Sequence, residues 1–575
     1  MYRLCFSVLF NIMMGLFVSV SFAGHLDPAL TPDKSPFIPP KTCKICHVEI
    51  YNQWMGSPMA NALRTGGMKP CFTQYQSTAT TIPEFYYGSI VCIGCHSPEV
   101  MYEVPEYGMS RSDYLGEKVV AGTLGTAYTD DEYLQNGLAG ITCHHCHAIK
   151  DIDVPNYMVL PKIVSFNLPD SSPVTDDASA FAKLSNSIMR GPYRDASTLA
   201  PHKVEFSDTH TRSEFCSACH EFNLPIGPNI AKAFGMPAPQ AFSYVVGLYL
   251  QGQYSPDNDF AKIYDPAFPT TKKRNQGPNK FWTRCCTPND NWTLSSYSKA
   301  GVQCQDCHMR PFTGQAAQLA GEPERGNVYS HYFPGPRRRA VGVGVEEAIN
   351  TNVKADAAKK NPNEVEVDVT TTNVGAGHRI PNGCPLEVSA LIKMVWAFRL
   401  EEVSPGRFER VEEISIPGLG SPQYVVNRGM ATFDNELFRY DKIMTVDVPP
   451  EQRDENTFFG VQHDTGIFPV GSSQGPNSDT RSFSFDTAGA DPSLVEIVVA
   501  YYYQHPGTPI AFDYDDSTFE IDIVNPDQFV IKSVRLRDVL SGDPMVESRE
   551  DHAKMLFRKS RTSKVHKLER ANNPE

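Results

Sequence analysis

Beyond its first 23 residues, the sequence contains no apolar run long enough for a transmembrane helix, which needs about 20 residues. It also has no excess of positive charge, because 52 lysines and arginines stand against 66 aspartates and glutamates, for a formal net charge of -14. Proteins that bind nucleic acid usually carry a positive surface. The sequence therefore predicts neither a transmembrane segment in the mature chain nor a nucleic-acid partner.

Residues 43–336 show little regular hydrophobic periodicity, of either the helical or the strand type. Glycine, proline, tyrosine and asparagine interrupt this region at short intervals. Such a segment cannot supply a conventional apolar core by itself. We therefore expect loops and short helices that wrap around apolar surface of another kind.

From about residue 337 the pattern becomes that of β-strands. Val365, Val367 and Val369 alternate with charged residues, as in a half-buried strand. Further strands are predicted over 388–400, 414–416, 494–503 and 519–524. Because no helical pattern separates them, we expect a β-sandwich over residues 337–531, followed by a charged helix or tail over 532–575. The predicted fold class is α+β/irregular, a loop-rich, short-helix region followed by a C-terminal β-sandwich domain.

The N-terminus resembles a secretory signal peptide. A single early cation, Arg3, precedes an apolar run from Leu4 to Val20, and the small-residue sequence Ser21-Phe22-Ala23 suits a cleavage site. We expect residues 1–23 to be removed and residues 24–42, which are polar and rich in proline, to form an extended arm. The mature protein is then exported, to the periplasm or to the cell surface of a bacterium.

Five copies of a Cys-x-x-Cys-His motif occur in the region of short helices. A shuffled chain with 15 cysteines and 16 histidines in 575 residues would contain about 0.01 such motif. The motif is typical of c-type haem, because each thiol bonds to one vinyl group and the histidine binds the iron as its proximal ligand. Zinc is a weaker interpretation, since no two cysteine pairs lie close enough for a compact finger.

The sequence therefore predicts five covalently attached haem c groups within a pentahaem region over residues 43–336. The predicted attachment residues, from the first to the fifth motif, are Cys43 and Cys46, Cys92 and Cys95, Cys143 and Cys146, Cys216 and Cys219, and Cys304 and Cys307. The predicted proximal ligands are His47, His96, His147, His220 and His308.

Four cysteines of the mature chain remain unassigned. They are Cys71, Cys285, Cys286 and Cys384. In an oxidising compartment we expect a disulfide among them, and three connectivities could join the four.

The residues that flank the motifs resemble the exported multihaem cytochrome c family found in metal-reducing and other respiring bacteria. The similar segments are Gln53-Trp54 with Ser57–Ala62, Cys92–Pro98, His210–Cys216, Gly301–Met309 and Gly375–Pro381. This resemblance implies electron transfer to or from redox partner proteins or an extracellular acceptor. It also implies a sixth iron ligand at His210, at His331 and at His378.

Other side chains are weaker candidates for a sixth ligand. His144 and His145 lie inside the third motif, where either could reach a neighbouring iron, and His202 lies in Ala-Pro-His-Lys. Met59 stands where some relatives have a histidine, and a methionine ligand would raise the potential of that haem; the alternative is a core methionine. Ten histidines beyond the proximal five and His25 suffice to close five sites.

Three functional hypotheses follow. We favour a carrier that moves electrons one at a time along mostly bis-histidine haems, without a catalytic residue. The alternative is a multihaem enzyme with one open iron that acts on a small nitrogen or sulfur compound, for which the basic run Arg337–Arg339 could hold an anion. A third hypothesis, compatible with the first, is a homo-oligomer or filament in which His25 ligates a haem of the next copy.

Overall fold

The computed structural model describes residues 37–62, 95–98, 140–153, 162–166, 174, 176–196, 200–225, 235–236, 282–286, 288–335, 345–357, 361, 363–382, 390–417, 425–427, 430–432, 439–446, 459–464, 466–473, 475–504, 512–515, 520–523 and 529–540. Several predicted features lie outside these residues: the signal peptide, the arm up to residue 36, His25, Cys71, Cys92, Cys384, Arg337–Arg339 and the charged tail beyond residue 540.

The described part mixes helices and strands, and its helices are short. The helices are α1 Pro40–Lys44, α2 Val48–Met55, α3 Cys143–Ala148, α4 Asp177–Asn186, α5 Ser213–His220, α6 Pro288–Thr293, α7 Ser296–Lys299, α8 Cys304–His308, α9 Val345–Ala348 and α10 Leu536–Leu540. None of these described helices has the length and hydrophobicity of a membrane crossing.

Strands of the first 335 residues form small two-stranded ladders. They are β1 Ile149–Asp153 with β2 Lys162–Phe166, β3 Ile188–Gly191 with β4 Lys203–Phe206, β5 Phe222–Pro225 with β6 Trp282–Cys286, and β7 Pro311–Gln315 with β8 Glu324–Tyr329. Only the β3–β4 pair among these is parallel. The expectation of a loop-rich region with short helices is confirmed for the described residues.

The strands that follow from residue 349 are mostly longer. They are β9 Ile349–Ala357, β10 Glu364–Asn373, β11 Ala390–Ser404, β12 Arg407–Ile414, β13 Val425–Asn427, β14 Met430–Thr432, β15 Arg439–Val446, β16 Phe459–Asp464, β17 Ser478–Asp486, β18 Val495–Gln504, β19 Phe512–Asp515, β20 Glu520–Ile523 and β21 Phe529–Arg535. The alternation of valines is confirmed as β10. Of the run predicted as a strand over 414–416, only Ile414 belongs to one, as the last residue of β12.

Two antiparallel sheets organise this second region. One has the strand order β17-β10-β9, and the other has the order β16-β15-β11-β18-β21, with β12 also paired to β11. Fully buried side chains of both sheets belong to one core, among them Val367 and Val369 of the first sheet and Ile497 and Val499 of the second. Burial of such side chains contributes about 2 kcal/mol each. The core therefore joins the two sheets.

Polar groups also connect the sheets. The hydroxyl groups of Thr371 and Tyr501 lie 2.7 Å apart, and the buried Lys393 donates to the backbone oxygen of Val369 at 3.1 Å. The core continues past residue 531, because Leu536 and Val539 of α10 pack into it.

Candidate functional site

Three of the five motifs lie on short helices, which carry both cysteines and the histidine of the motif. They are the third motif on α3, the fourth at the end of α5 and the fifth on α8. Cysteines three positions apart lie on one face of a helix, next to the histidine that follows. The Thr142 hydroxyl caps α3 by accepting the N–H of His145, and Gln303 with Asp306 forms a capping box on α8. These caps fix the start of α3 and of α8, where the motif cysteines lie.

Four of the proximal histidines present one ring nitrogen to a backbone carbonyl. The Nδ1 contacts are His47 with Ala316 at 2.7 Å, His96 with Ala62 at 3.0 Å, His147 with Arg190 at 2.5 Å and His308 with Pro334 at 2.7 Å. Because a carbonyl only accepts, Nδ1 carries the hydrogen in each ring, and the lone pair of Nε2 is left for a metal.

Three proximal rings each lie opposite a second histidine in a nearly parallel plane. The centroids of His47 and His202 are 6.4 Å apart at 25°, those of His147 and His331 6.3 Å at 29°, and those of His308 and His378 6.3 Å at 17°. A metal–nitrogen bond of about 2 Å on each side, plus about 1 Å from nitrogen to ring centre, predicts about 6 Å. The three pairs therefore fit an iron between them.

The second histidines of these pairs share the tautomer of the proximal ones. Nδ1 contacts a backbone oxygen in His202 (Lys203, 3.2 Å), His331 (Tyr329, 2.9 Å) and His378 (Arg379, 3.0 Å). Burial lowers the pKa of His331 to about 3 and that of His378 to about 4. Both imidazoles are thus neutral at pH 7, the form that binds metal.

His210 also lies near His147, with ring centroids 5.9 Å apart at 14°. Its Nε2 is 3.0 Å from the backbone oxygen of Cys146, and its Nδ1 is buried without a hydrogen-bond partner. Of the two rings, that of His331 would be the better second ligand for an iron held by His147, because its Nε2 is not engaged by a carbonyl.

The two histidines inside the third motif are buried against the N-terminal segment. Nδ1 of His144 accepts the backbone N–H of Ile38 at 2.8 Å, and the rings of His144 and His145 lie 5.6 and 5.2 Å from that of Phe37. Since Nδ1 of a neutral His144 is an acceptor, its hydrogen is on Nε2. In this tautomer the only lone pair of the ring, on Nδ1, already accepts the hydrogen bond from Ile38 and is not offered to an iron.

Met59 lies in the turn that follows α2, against the residue before the third motif. Its backbone oxygen accepts the N–H of Ile141 at 2.9 Å, and a Cβ on Gly140 would lie 2.1 Å from that oxygen. The indole N–H of Trp54 donates to the Ile141 oxygen at 2.8 Å. The side chain of Met59 is half-buried, and the turn joins the first motif to the third.

His220, the predicted proximal residue of the fourth motif, is exposed, yet desolvation by the surrounding protein lowers its pKa to about 4. Its imidazole is therefore neutral at pH 7, the form that binds a metal.

Cysteines of different motifs lie within hydrogen-bonding reach of one another. The thiol pairs are Cys43 with Cys143, Cys95 with Cys219, and Cys216 with Cys304. The first motif therefore meets the third, the second meets the fourth, and the fourth meets the fifth.

Two supporting features had no signal in the sequence. The carbonyls that orient the proximal rings belong to residues of any type, so no side-chain pattern marks them. The loop between β7 and β8 braces the first motif, where Gln318 donates from its backbone N–H to the Cys46 oxygen at 2.6 Å and accepts the N–H of Val48 at 2.8 Å.

Comparison with known proteins gives one family match. The family model described as cytochrome c554 and c-prime matches residues 42–115, which include the first two motifs. Neither the curated proteins nor the solved structures contain a significant match to this chain. The family match, together with the geometry of the histidine pairs, supports a c-type cytochrome with covalently bound haem, an electron-transfer chemistry and redox partners.

Proposed function

We propose that this protein is an exported pentahaem c-type cytochrome that carries electrons along a chain of mostly bis-histidine haems. The observation that carries the proposal is the set of three histidine pairs at the separation that an iron requires. His202, His331 and His378 are the proposed sixth ligands of the first, third and fifth haem.

The haem groups supply a reversible one-electron iron couple. The chain's residues hold these groups and set their properties. Backbone carbonyls fix each imidazole with Nε2 toward the iron, and hydrogen bonds of this kind raise the basicity of a metal-bound histidine. Burial keeps His331 and His378 neutral, and neutral, rigidly held ligands favour rapid electron transfer with little rearrangement.

The second region would serve as a β-sandwich that is joined to the haem region through the fifth haem. The backbone oxygen of His378 accepts a hydrogen bond from the amide of Asn373 at the end of β10, at 2.8 Å. The hydroxyl of Tyr297 donates to the backbone oxygen of Val374, at 2.5 Å. A ligand held this rigidly suits a structural role for the domain. The proposed location is the periplasm or the cell surface, where redox proteins or an extracellular acceptor are the partners.

The alternative, a redox enzyme with one open iron, has one observation in its favour. Within the described residues, no second histidine ring lies opposite His96 or His220, in contrast to the three paired rings. An iron bound by either residue would be open if no ligand came from elsewhere in the chain.

Low-temperature EPR of the oxidised protein, with a haem count from its mass, tests the proposal. Five haems that are all low-spin are the expected result for an electron carrier. Fewer than five haems would contradict the pentahaem assignment. A stoichiometric high-spin signal would favour the enzyme, and binding of small anions or nitrogen compounds to that iron would then be measured.

A further inference from the structure

A partly buried network of hydrogen bonds joins the fourth motif to the fifth. The side-chain oxygen of Gln303 accepts both the backbone N–H and the hydroxyl of Ser213, at 2.8 and 2.9 Å. The Ser213 hydroxyl in turn accepts the N–H of Cys304 at 3.0 Å. Gln305 donates to the backbone oxygen of Arg212 at 2.7 Å. We call Ser213, Gln303 and Gln305 the latch.

Two of the three latch residues are buried, Ser213 fully and Gln305 with 5% of its surface exposed. Gln303 is half-buried. Removing one partner of such a network leaves a buried polar group without its hydrogen bond, at a cost of about 1–3 kcal/mol. The start of α5 and the start of α8 are thus held in one arrangement.

The attachment points of the fourth and fifth haem meet at the latch. Cys304 begins α8, and its thiol lies against that of Cys216 on α5. The other cysteine on α5, Cys219, lies against Cys95 of the second motif. Each thiol is the bonding position of one haem edge, so thiols of two motifs within hydrogen-bonding reach place two haem edges near each other.

The third motif reaches the same helix through apolar packing. Ile149, which follows α3 directly, forms a buried cluster with Ala218 of α5, and Phe215 and Cys219 pack against that cluster. The first motif meets the third through Cys43 and Cys143. The helix α5 is therefore bordered by the second, third and fifth motifs.

We infer that the fourth haem is a branch point that lies next to the haems of the second, third and fifth motifs, and that the fifth haem joins it at the latch. This inference rests on the proposed function. From the fourth haem, one route then leads to the second haem, one to the fifth, and one through the third haem to the first. Each transfer moves one electron from a ferrous to a ferric iron, with a redox protein as the external donor and no bond made or broken.

The test is a redox titration of the haem-loaded protein, followed by EPR. His378→Met raises the potential of the fifth haem, because methionine in place of histidine favours the ferrous iron. That haem then takes up its electron first, and the added negative charge lowers the potential of a haem beside it. His202→Met and His331→Met identify the signals of the first and third haem in the same way.

We expect the first and third signals to keep their potentials in His378→Met, while one of the other two shifts downward. A downward shift of the first or third haem, or no shift at all, would overturn the branch. If His378→Met alters none of the five haems, the proposed ligand itself is wrong, which is a failure of the proposed function and is distinct from a failure of the branch.

A second pair of variants assigns the shift to the fourth haem. Gln303→Met removes the oxygen that accepts from Ser213, whereas Gln303→Glu keeps an oxygen there. In combination with His378→Met, Gln303→Met should reduce the downward shift and Gln303→Glu should retain it. The fixed charge of the glutamate moves the potentials of both haems without changing the interaction between the two haems. An equal shift in both double variants would show that the latch does not position these haems.

Discussion

Nδ1 of His144 accepts the backbone N–H of Ile38 at a distance of 2.8 Å, which ties the segment before α1 to the third haem motif. Ile38 is fully buried and Phe37 is 2% exposed. His144 stands between the two cysteines of the third motif, and its Nδ1 lone pair accepts a hydrogen bond from this chain segment.

His144→Leu is expected to destabilise the protein without changing the spin state of any haem. The variant leaves the buried Ile38 N–H without an acceptor, at a cost of about 1–3 kcal/mol. Thermal unfolding measures the loss, and EPR measures the spin states. A new high-spin signal in this variant would show that His144 is an iron ligand.

His202→Ala and His210→Ala should differ in their effect on the haem spectrum. His202 lies opposite His47 with Nδ1 on a carbonyl, so its removal opens one iron and converts one haem from low to high spin. His210 directs Nε2 to the Cys146 oxygen, and its removal should leave five low-spin haems. The reverse outcome, a high-spin haem in His210→Ala alone, would assign the ligand to His210. Haem content by mass controls for loss of a cofactor.

The buried Lys393 predicts a pH dependence of stability. Burial lowers its pKa from 10.5 to about 7, so between about pH 7 and 10.5 the folded state binds fewer protons than the unfolded state. Stability should therefore rise with pH across this window, and the cost of burying the lysine is fully present below about pH 7.

Lys393→Met should be more stable than the parent protein at pH 6 and should show a flatter pH profile of the unfolding free energy. Lys354→Met, at an exposed position on β9, is the matched control and should retain the slope. Denaturant unfolding at several pH values gives both quantities. A slope that survives in Lys393→Met would assign it to another group.

Gly140→Ala should be strongly destabilising because its Cβ would meet the Met59 oxygen at 2.1 Å, and backbone on both sides leaves little room to move. We expect a loss of about 3 kcal/mol or more, together with weaker haem retention at the third motif. Gly326→Ala is the control, since nothing lies within 4 Å of a Cβ there. Equal unfolding midpoints for the two variants would contradict this packing.

The sequence by itself determined the haem chemistry and much of the local structure. Attachment of a haem requires two cysteines and a histidine within five residues, so the motifs can be identified without knowledge of the fold. Alternating valines in the same way predicted β10, because a strand places every second residue on one face. These properties depend on neighbours in the chain.

Only the tertiary structure decided which histidines face one another. His47 and His202, or His147 and His331, are distant in sequence, and an iron between two rings depends on their positions in space. The tautomer of each ring depends on backbone carbonyls such as those of Ala316 and Arg190, which leave no mark on side-chain patterns. His144 and His202 show the difference. The position of His144 inside a motif favoured it as an iron ligand, yet of these two residues only His202 lies opposite a proximal ring.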